Sequence, residues 1–112
     1  MNDMDLEFHA VAKTSELDED QALQVRVGRK EIALYNLAGE IYATDDTCTH
    51  AYASMADGYV EGDQIECPLH GACFEIKTGK ALGPPANGDL ACHPVKIKGD
   101  SILVGLPPGT GE

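Results

Sequence analysis

The chain has 112 residues, enough for one domain with a modest core and too few for two. Nineteen acids against eight bases give a formal net charge of −11, which opposes binding to nucleic-acid phosphates or anionic lipid and suits partners with basic docking faces. No run of about 18 apolar residues exists, and MNDMDLEFHA carries acids where a signal peptide would have a basic stretch and an apolar core; a cytoplasmic, monomeric protein that binds neither membrane nor nucleic acid is expected.

In chain order, residues 8–12, 22–27, 31–37 and 40–44 are short apolar runs separated by turn signals, and they predict strands. Leu23, Val25 and Val27 alternate with Gln24 and Arg26, the period-2 pattern of a sheet with one wet face. Gly28-Arg29-Lys30 and Ala38-Gly39 supply hairpin turns, and residues 14–20 suggest a turn or a single helical turn capped by Thr14 or Ser15. From 45 to about 85 the periodicity fails, apart from strand candidates at 64–67 and 73–77. A loop stretch this long inside a compact domain is usually functional. Strands at 90–98 and 101–105 follow, joined by Gly99-Asp100, and residues 107–112 are expected to fray. No stretch sustains a 3.6-residue period. These elements predict one all-β domain over residues 1–112, an antiparallel sandwich or barrel with a two-loop metal-binding insertion at about 45–85.

Four cysteines in a reducing compartment point to metal or catalysis before disulfides. Two of them sit in Cys48-Thr49-His50 and Cys67-Pro68-Leu69-His70, with sixteen residues between the two elements. Each element supplies one thiolate and one imidazole, so Cys48, His50, Cys67 and His70 are the candidate ligands. A [2Fe–2S] centre with two cysteines on one iron and two histidines on the other fits this alternation, each loop giving one ligand to each iron. Two ferric ions, two sulfides and two thiolates sum to zero charge, so an electron enters a neutral centre, with a potential within about −150 to +300 mV. Cys₂His₂ is also a zinc set, although zinc motifs more often pair like ligands in each half; iron content and a visible spectrum separate the two.

The spacing C-x-H, sixteen residues, C-x-x-H is the Rieske ligand pattern. With Glu40-Ile41-Tyr42-Ala43-Thr44-Asp45, the run from Met55 to Gly62, Ile65-Glu66-Cys67-Pro68-Leu69-His70 and Thr78-Gly79-Lys80-Ala81-Leu82, the chain resembles, over residues 31–103, the Rieske-type ferredoxin components of naphthalene-dioxygenase-like aromatic-ring-hydroxylating systems. The resemblance implies a Rieske-type β-sandwich with a small cluster-binding subdomain at one end and one [2Fe–2S] cluster. It also implies a carrier without catalytic residues, moving single electrons from a flavin-dependent NAD(P)H reductase to a terminal oxygenase. The alternatives are a Rieske small subunit of another redox system, such as nitrite reductase, and a structural zinc-binding interaction module. Gly71-Ala72-Cys73 departs from the resemblance, since those ferredoxins more often carry a long or basic residue there.

High-potential respiratory Rieske proteins add a cysteine to each ligand loop, where this chain has Ala53 and Leu69, and place a serine and a tyrosine at positions held here by Ala72 and Phe74. Without those hydroxyl donors to sulfur, a potential in the lower part of the Rieske range is expected. Gly83-Pro84-Pro85 resembles the proline loop that covers such clusters. Cys73 and Cys92 are expected as small buried hydrophobes, with a regulatory disulfide as the alternative, and His9 and His93 as ordinary strand residues. Tyr42 and Tyr59 are expected to pack in core or loop, while Tyr52 and Met55 are candidates for the cluster surround or for docking. No G-x-G-x-x-G opens a helix, and 112 residues leave no room for an added catalytic domain.

Overall fold

The computed structural model describes residues 6–48, 53–69, 71–83 and 88–110. Among the described residues there are ten strands: β1 (Glu7–Lys13), β2 (Ala22–Val27), β3 (Lys30–Leu37), β4 (Glu40–Asp45), β5 (Tyr59–Glu61), β6 (Gln64–Glu66), β7 (Cys73–Glu75), β8 (Cys92–His93), β9 (Val95–Lys98) and β10 (Ser101–Leu106). They form three antiparallel sheets, with strand orders β2-β3-β4-β8, β1-β10-β9 and β5-β6-β7. Among the described residues, no helix is long and apolar enough to cross a membrane.

Strand β3 organises the core because both its faces are covered. Ile32 and Leu34 point into one apolar cluster with Val25, Val27, Ile102, Val104 and Leu106, which joins the four-stranded sheet to β10. Ala33, Tyr35 and Leu37 point the other way, into a second cluster with Cys48, Met55, Ile65, Cys67, Ala72, Phe74, Ile76 and Leu90. Successive strand residues face opposite sides, so a strand buried on both must read as a continuous apolar run, as Ile32-Ala33-Leu34-Tyr35 does. The Tyr35 hydroxyl is satisfied inside this core by Thr44 Oγ1 at 2.8 Å. Thr44 Oγ1 in turn donates to the Asp45 carbonyl at 2.9 Å, so Tyr35 is the donor, and burial pushes its ionisation well above the ordinary phenol range.

The hairpin turns follow the sequence. Ala38 and Gly39 both adopt positive φ, 54° and 91°, between the paired Leu37 and Glu40, as a type I′ turn demands. The long strand expected at 90–98 divides at Pro94: Cys92 and His93 pair with β4, whereas Val95–Lys98 pairs with β10. Proline has no N–H for the ladder, and the break lets the chain pass from one sheet to another. Strand β5 has no sequence forecast, since three residues are too few to show alternation. The helical turn expected within 14–20 is a 3-10 turn, Thr14–Glu16, closed by the Glu16 carboxylate accepting from Lys13 N at 2.8 Å rather than by Thr14 or Ser15, and a second 3-10 turn spans Met55–Asp57. Residues 107–110 make a turn in which Thr110 N and Oγ1 both donate to the Pro107 carbonyl.

Gly79 ties the third sheet back to the core. Its carbonyl accepts from Leu90 N at 2.7 Å, its φ is 76°, and a Cβ there would lie 2.0 Å from the Leu90 carbonyl oxygen. Gly79→Ala is therefore expected to destabilise by at least ~1–3 kcal/mol from backbone strain alone. Urea unfolding followed by circular dichroism checks this, and an unchanged midpoint would contradict the close approach.

Candidate metal centre

The two cysteine loops are built alike. Thr47 bridges to Ser54, and Glu66 pairs with Cys73, so the loops 48–53 and 67–72 have equal length between antiparallel anchors. In each, the cysteine N–H donates to the carbonyl of the loop's last residue, Cys48 to Ala53 at 3.0 Å and Cys67 to Ala72 at 2.7 Å. The second loop is tightened further by Gly71 N donating to the Cys67 carbonyl at 3.1 Å. Both cysteines are buried, 4% and 1% exposed, in the cluster beneath β3. No disulfide joins Cys48, Cys67, Cys73 or Cys92. His50 and His70 lie outside the described residues, as do Tyr52, Pro84 and Pro85.

Two buried sulfurs, from loops of equal closure and in one apolar cluster, suit a group that needs thiolates from both sides. Ala72 and Phe74 are fully buried in the same cluster, so the two positions without hydroxyls face the core and not solvent. Leu69 is 55% exposed, leaving the crest of the second loop apolar and open.

Other expected roles are redistributed. Met55 is fully buried in the cysteine cluster, whereas Tyr59, expected to pack, is 63% exposed on β5. Alternation along a short edge strand turns Val60 inward and leaves both its neighbours outside. Tyr42 packs partly against the core and donates its hydroxyl to the Glu40 carboxylate at 2.6 Å, with Lys77 Nζ 5.9 Å from its ring centroid. Cys92 is exposed and Cys73 half-buried, so neither is the enclosed hydrophobe expected. Partial burial pushes both thiols up, aided by Asp45 beside Cys92 and by Glu66 and Glu61 beside Cys73, which keeps them protonated and unreactive. His9 borders a cavity with Arg26 and Gly28, and its Nε2 has no hydrogen-bond partner among the described residues.

His93 has a partner that sequence separation hid. Its Nε2 lies 2.8 Å from Asp45 Oδ1, and Lys30 Nζ approaches the same oxygen at 2.8 Å. Asp46, the next residue, was also missed: it is 1% exposed, although two successive aspartates before the first cysteine look like solvated loop.

Residues 7–94 match the Rieske [2Fe-2S] domain family. The chain belongs to that family. It is 48% identical over 91 residues to the naphthalene 1,2-dioxygenase system ferredoxin component of Pseudomonas aeruginosa, covering 81% of this chain and 88% of that relative. Among solved structures it superposes on the Sphingomonas yanoikuyae B1 ferredoxin with a TM-score of 0.85 and 31% identity, covering 90% of this chain and all of that one. It also superposes on a chain from a complex of reduced oxygenase and oxidized ferredoxin in carbazole 1,9a-dioxygenase, with a TM-score of 0.81, 35% identity and 94% of each chain covered. This Rieske chain holds one Rieske-type [2Fe–2S] cluster, and the structural zinc alternative gives way.

The Asp45 link supplies a pH test away from the cysteines. Burial pushes the Asp45 carboxyl up, but the hydrogen bonds from His93 and Lys30 outweigh it, and its ionisation falls below the ordinary 3.8. The depressed folded value means that this link stabilises fully above the ordinary carboxylate range and loses its contribution as pH falls through the lowered folded value. Asp45→Asn should cost about 1 kcal/mol or less at pH 7, because the group is partly exposed, and the deficit should begin to narrow below about pH 4 and close as pH falls through the lowered folded value. Thermal midpoints of both proteins at pH 7 and pH 3 decide it, and a deficit that persists in acid would count against the link.

Proposed function

We propose that this Rieske chain is the ferredoxin of an aromatic-ring-hydroxylating dioxygenase system, taking single electrons from a flavin-dependent NAD(P)H reductase and delivering them to a terminal oxygenase. The observation that carries this is the pair of equal loops presenting Cys48 and Cys67 buried in one cluster, in a chain whose relatives are ferredoxin components of such systems. Those relatives favour this reading over a small Rieske subunit of nitrite reductase. The chain is an electron-transfer component and not a catalyst. We place it in the cytoplasm as a monomeric single domain, residues 1–112, with its cluster-binding insertion at about 45–85.

In this reading Cys48 and Cys67 ligate one iron as thiolates, and His50 and His70 ligate the other as neutral imidazoles. When bound, the cluster supplies a one-electron couple. The protein's part is to hold the two sulfurs dry, with His50 and His70 as the route by which electrons would leave. The buried cysteine side resists solvent and sets the dielectric, while exposed Leu69 beside His70 lets a partner approach without first displacing tightly held water. The net charge of −11 favours encounter with basic faces on both partners, an attraction that weakens once the Debye length falls below ~8–10 Å.

Purified holoprotein should contain paired iron and inorganic sulfide, be reduced by NADH with a catalytic amount of flavin reductase, and be reoxidised by a terminal oxygenase. A centre inert to dithionite, or a protein without paired iron and sulfide, overturns the proposal. Ala72→Ser and Phe74→Tyr should each raise the midpoint potential by roughly one tenfold step in the equilibrium, ~59 mV for one electron, as hydroxyl donors stabilise the reduced charge. Protein-film voltammetry reads this, and two unshifted variants would remove the hydrogen-bond explanation of a low potential.

A further inference from the structure

The two loops differ in one respect despite their matched closure. Two residues before the second cysteine stands Ile65, fully buried and paired with Phe74 across β6 and β7. Two residues before the first stands Asp46, equally buried. Its backbone imitates the Ile65 pairing, since the Asp46 carbonyl accepts from Met55 N at 2.6 Å. Its side chain does something Ile65 cannot. Oδ1 accepts from Ser54 Oγ and from Ala56 N, both at 2.9 Å, and Oδ2 accepts from Gln24 Nε2 at 2.6 Å. These three bonds tie one carboxyl group to two separate segments of the chain.

We propose that the Asp46 carboxylate clamps the first ligand loop and, by its fixed negative charge, holds the reduction potential of the bound cluster low. The clamp follows from connectivity: one side chain joins the strand entering the loop to residues 54 and 56 leaving it, and anchors both to Gln24 on β2. It supplements a shorter backbone anchorage than the three-stranded ladder of the second loop: among the described residues the first loop has the isolated bridge Thr47 to Ser54 and the Met55 N bond to the Asp46 carbonyl beside its own closure. The electrostatic half follows from burial. Salt screens a charge 1% exposed far less than a surface charge, and Asp46 stands two residues before Cys48, which is also buried. Asp46 is a positioning residue acting through Ser54, Ala56 and Gln24, and the inference rests on the reading of Cys48 as a ligand.

Asp46→Asn is nearly isosteric. Its carbonyl oxygen still accepts from Ser54 and Ala56, whereas the new amide nitrogen meets Gln24 Nε2, which also donates to Glu31 Oε2 at 3.0 Å, so the Gln24 anchor is weakened. The variant should load with the same iron and sulfide as wild type and show a potential raised by about one tenfold step, ~59 mV, equally at low and high salt. Ser54→Ala removes one clamp bond and no charge; its potential should stay close to wild type while a chelator bleaches its cluster several-fold faster. A fully loaded Asp46→Asn protein with an unshifted potential overturns the proposal. Should that variant fail to load, Ser54→Ala bleaching at the wild-type rate overturns it instead. Wild-type protein lacking paired iron and sulfide would sink the ligand reading itself, before either variant is compared.

Discussion

Each loop is closed by a hydrogen bond from the cysteine's own N–H to a carbonyl five residues on. That bond does two things at once. It satisfies a backbone donor that burial would otherwise orphan, and it turns the chain sharply enough to return it to the paired residue while the cysteine stays inside. The dry surround of the two sulfurs is thus a property of loop closure.

The loops need a floor, and β3 provides it. Because one face of that strand packs against β10 through Ile32 and Leu34, its other face is free to support the cysteines through Ala33, Tyr35 and Leu37. A domain of this size can afford few fully buried strands. Spending one here means that perturbation of the sandwich reaches the loop floor through a single layer of side chains. Tyr35 shows the constraint: its ring fills the floor, and its hydroxyl must find Thr44 on the adjacent strand because no water is available.

Most strands and the two cysteine-bearing loops were legible in the sequence because both are local. Cysteine and histidine at fixed spacing announce themselves, and Leu23, Val25 and Val27 show their shared face without knowledge of its partner. What stayed hidden depended on contacts between distant residues. The split at Pro94 was visible as a proline, but only the pairing of His93 with Ala43 and of Val95 with Val104 shows that the break joins two sheets. His93 meets Asp45 from 48 positions away. Asp46 reads as loop because aspartate is rarely buried, and only its three donors make burial tolerable. Tyr59 errs in the other direction: a large aromatic in a three-residue edge strand follows the alternation of its backbone, and alternation put it outside.

These hidden features bear on one quantity. Two imidazoles in place of two thiolates make the oxidised centre neutral and pull the potential up from the range of four-thiolate ferredoxins. The surround works against that pull. Ala72 and Phe74 offer no hydroxyl to a reduced sulfur, and Asp46 places a negative charge beside the loop that holds Cys48, where water cannot attenuate it. A carrier must sit between its donor and its acceptor in potential, so a ligand set that overshoots upward needs a surround that corrects downward. Here the correction uses absent donors in one loop and a buried anion in the other, so each loop can tune the same couple through a different physical term.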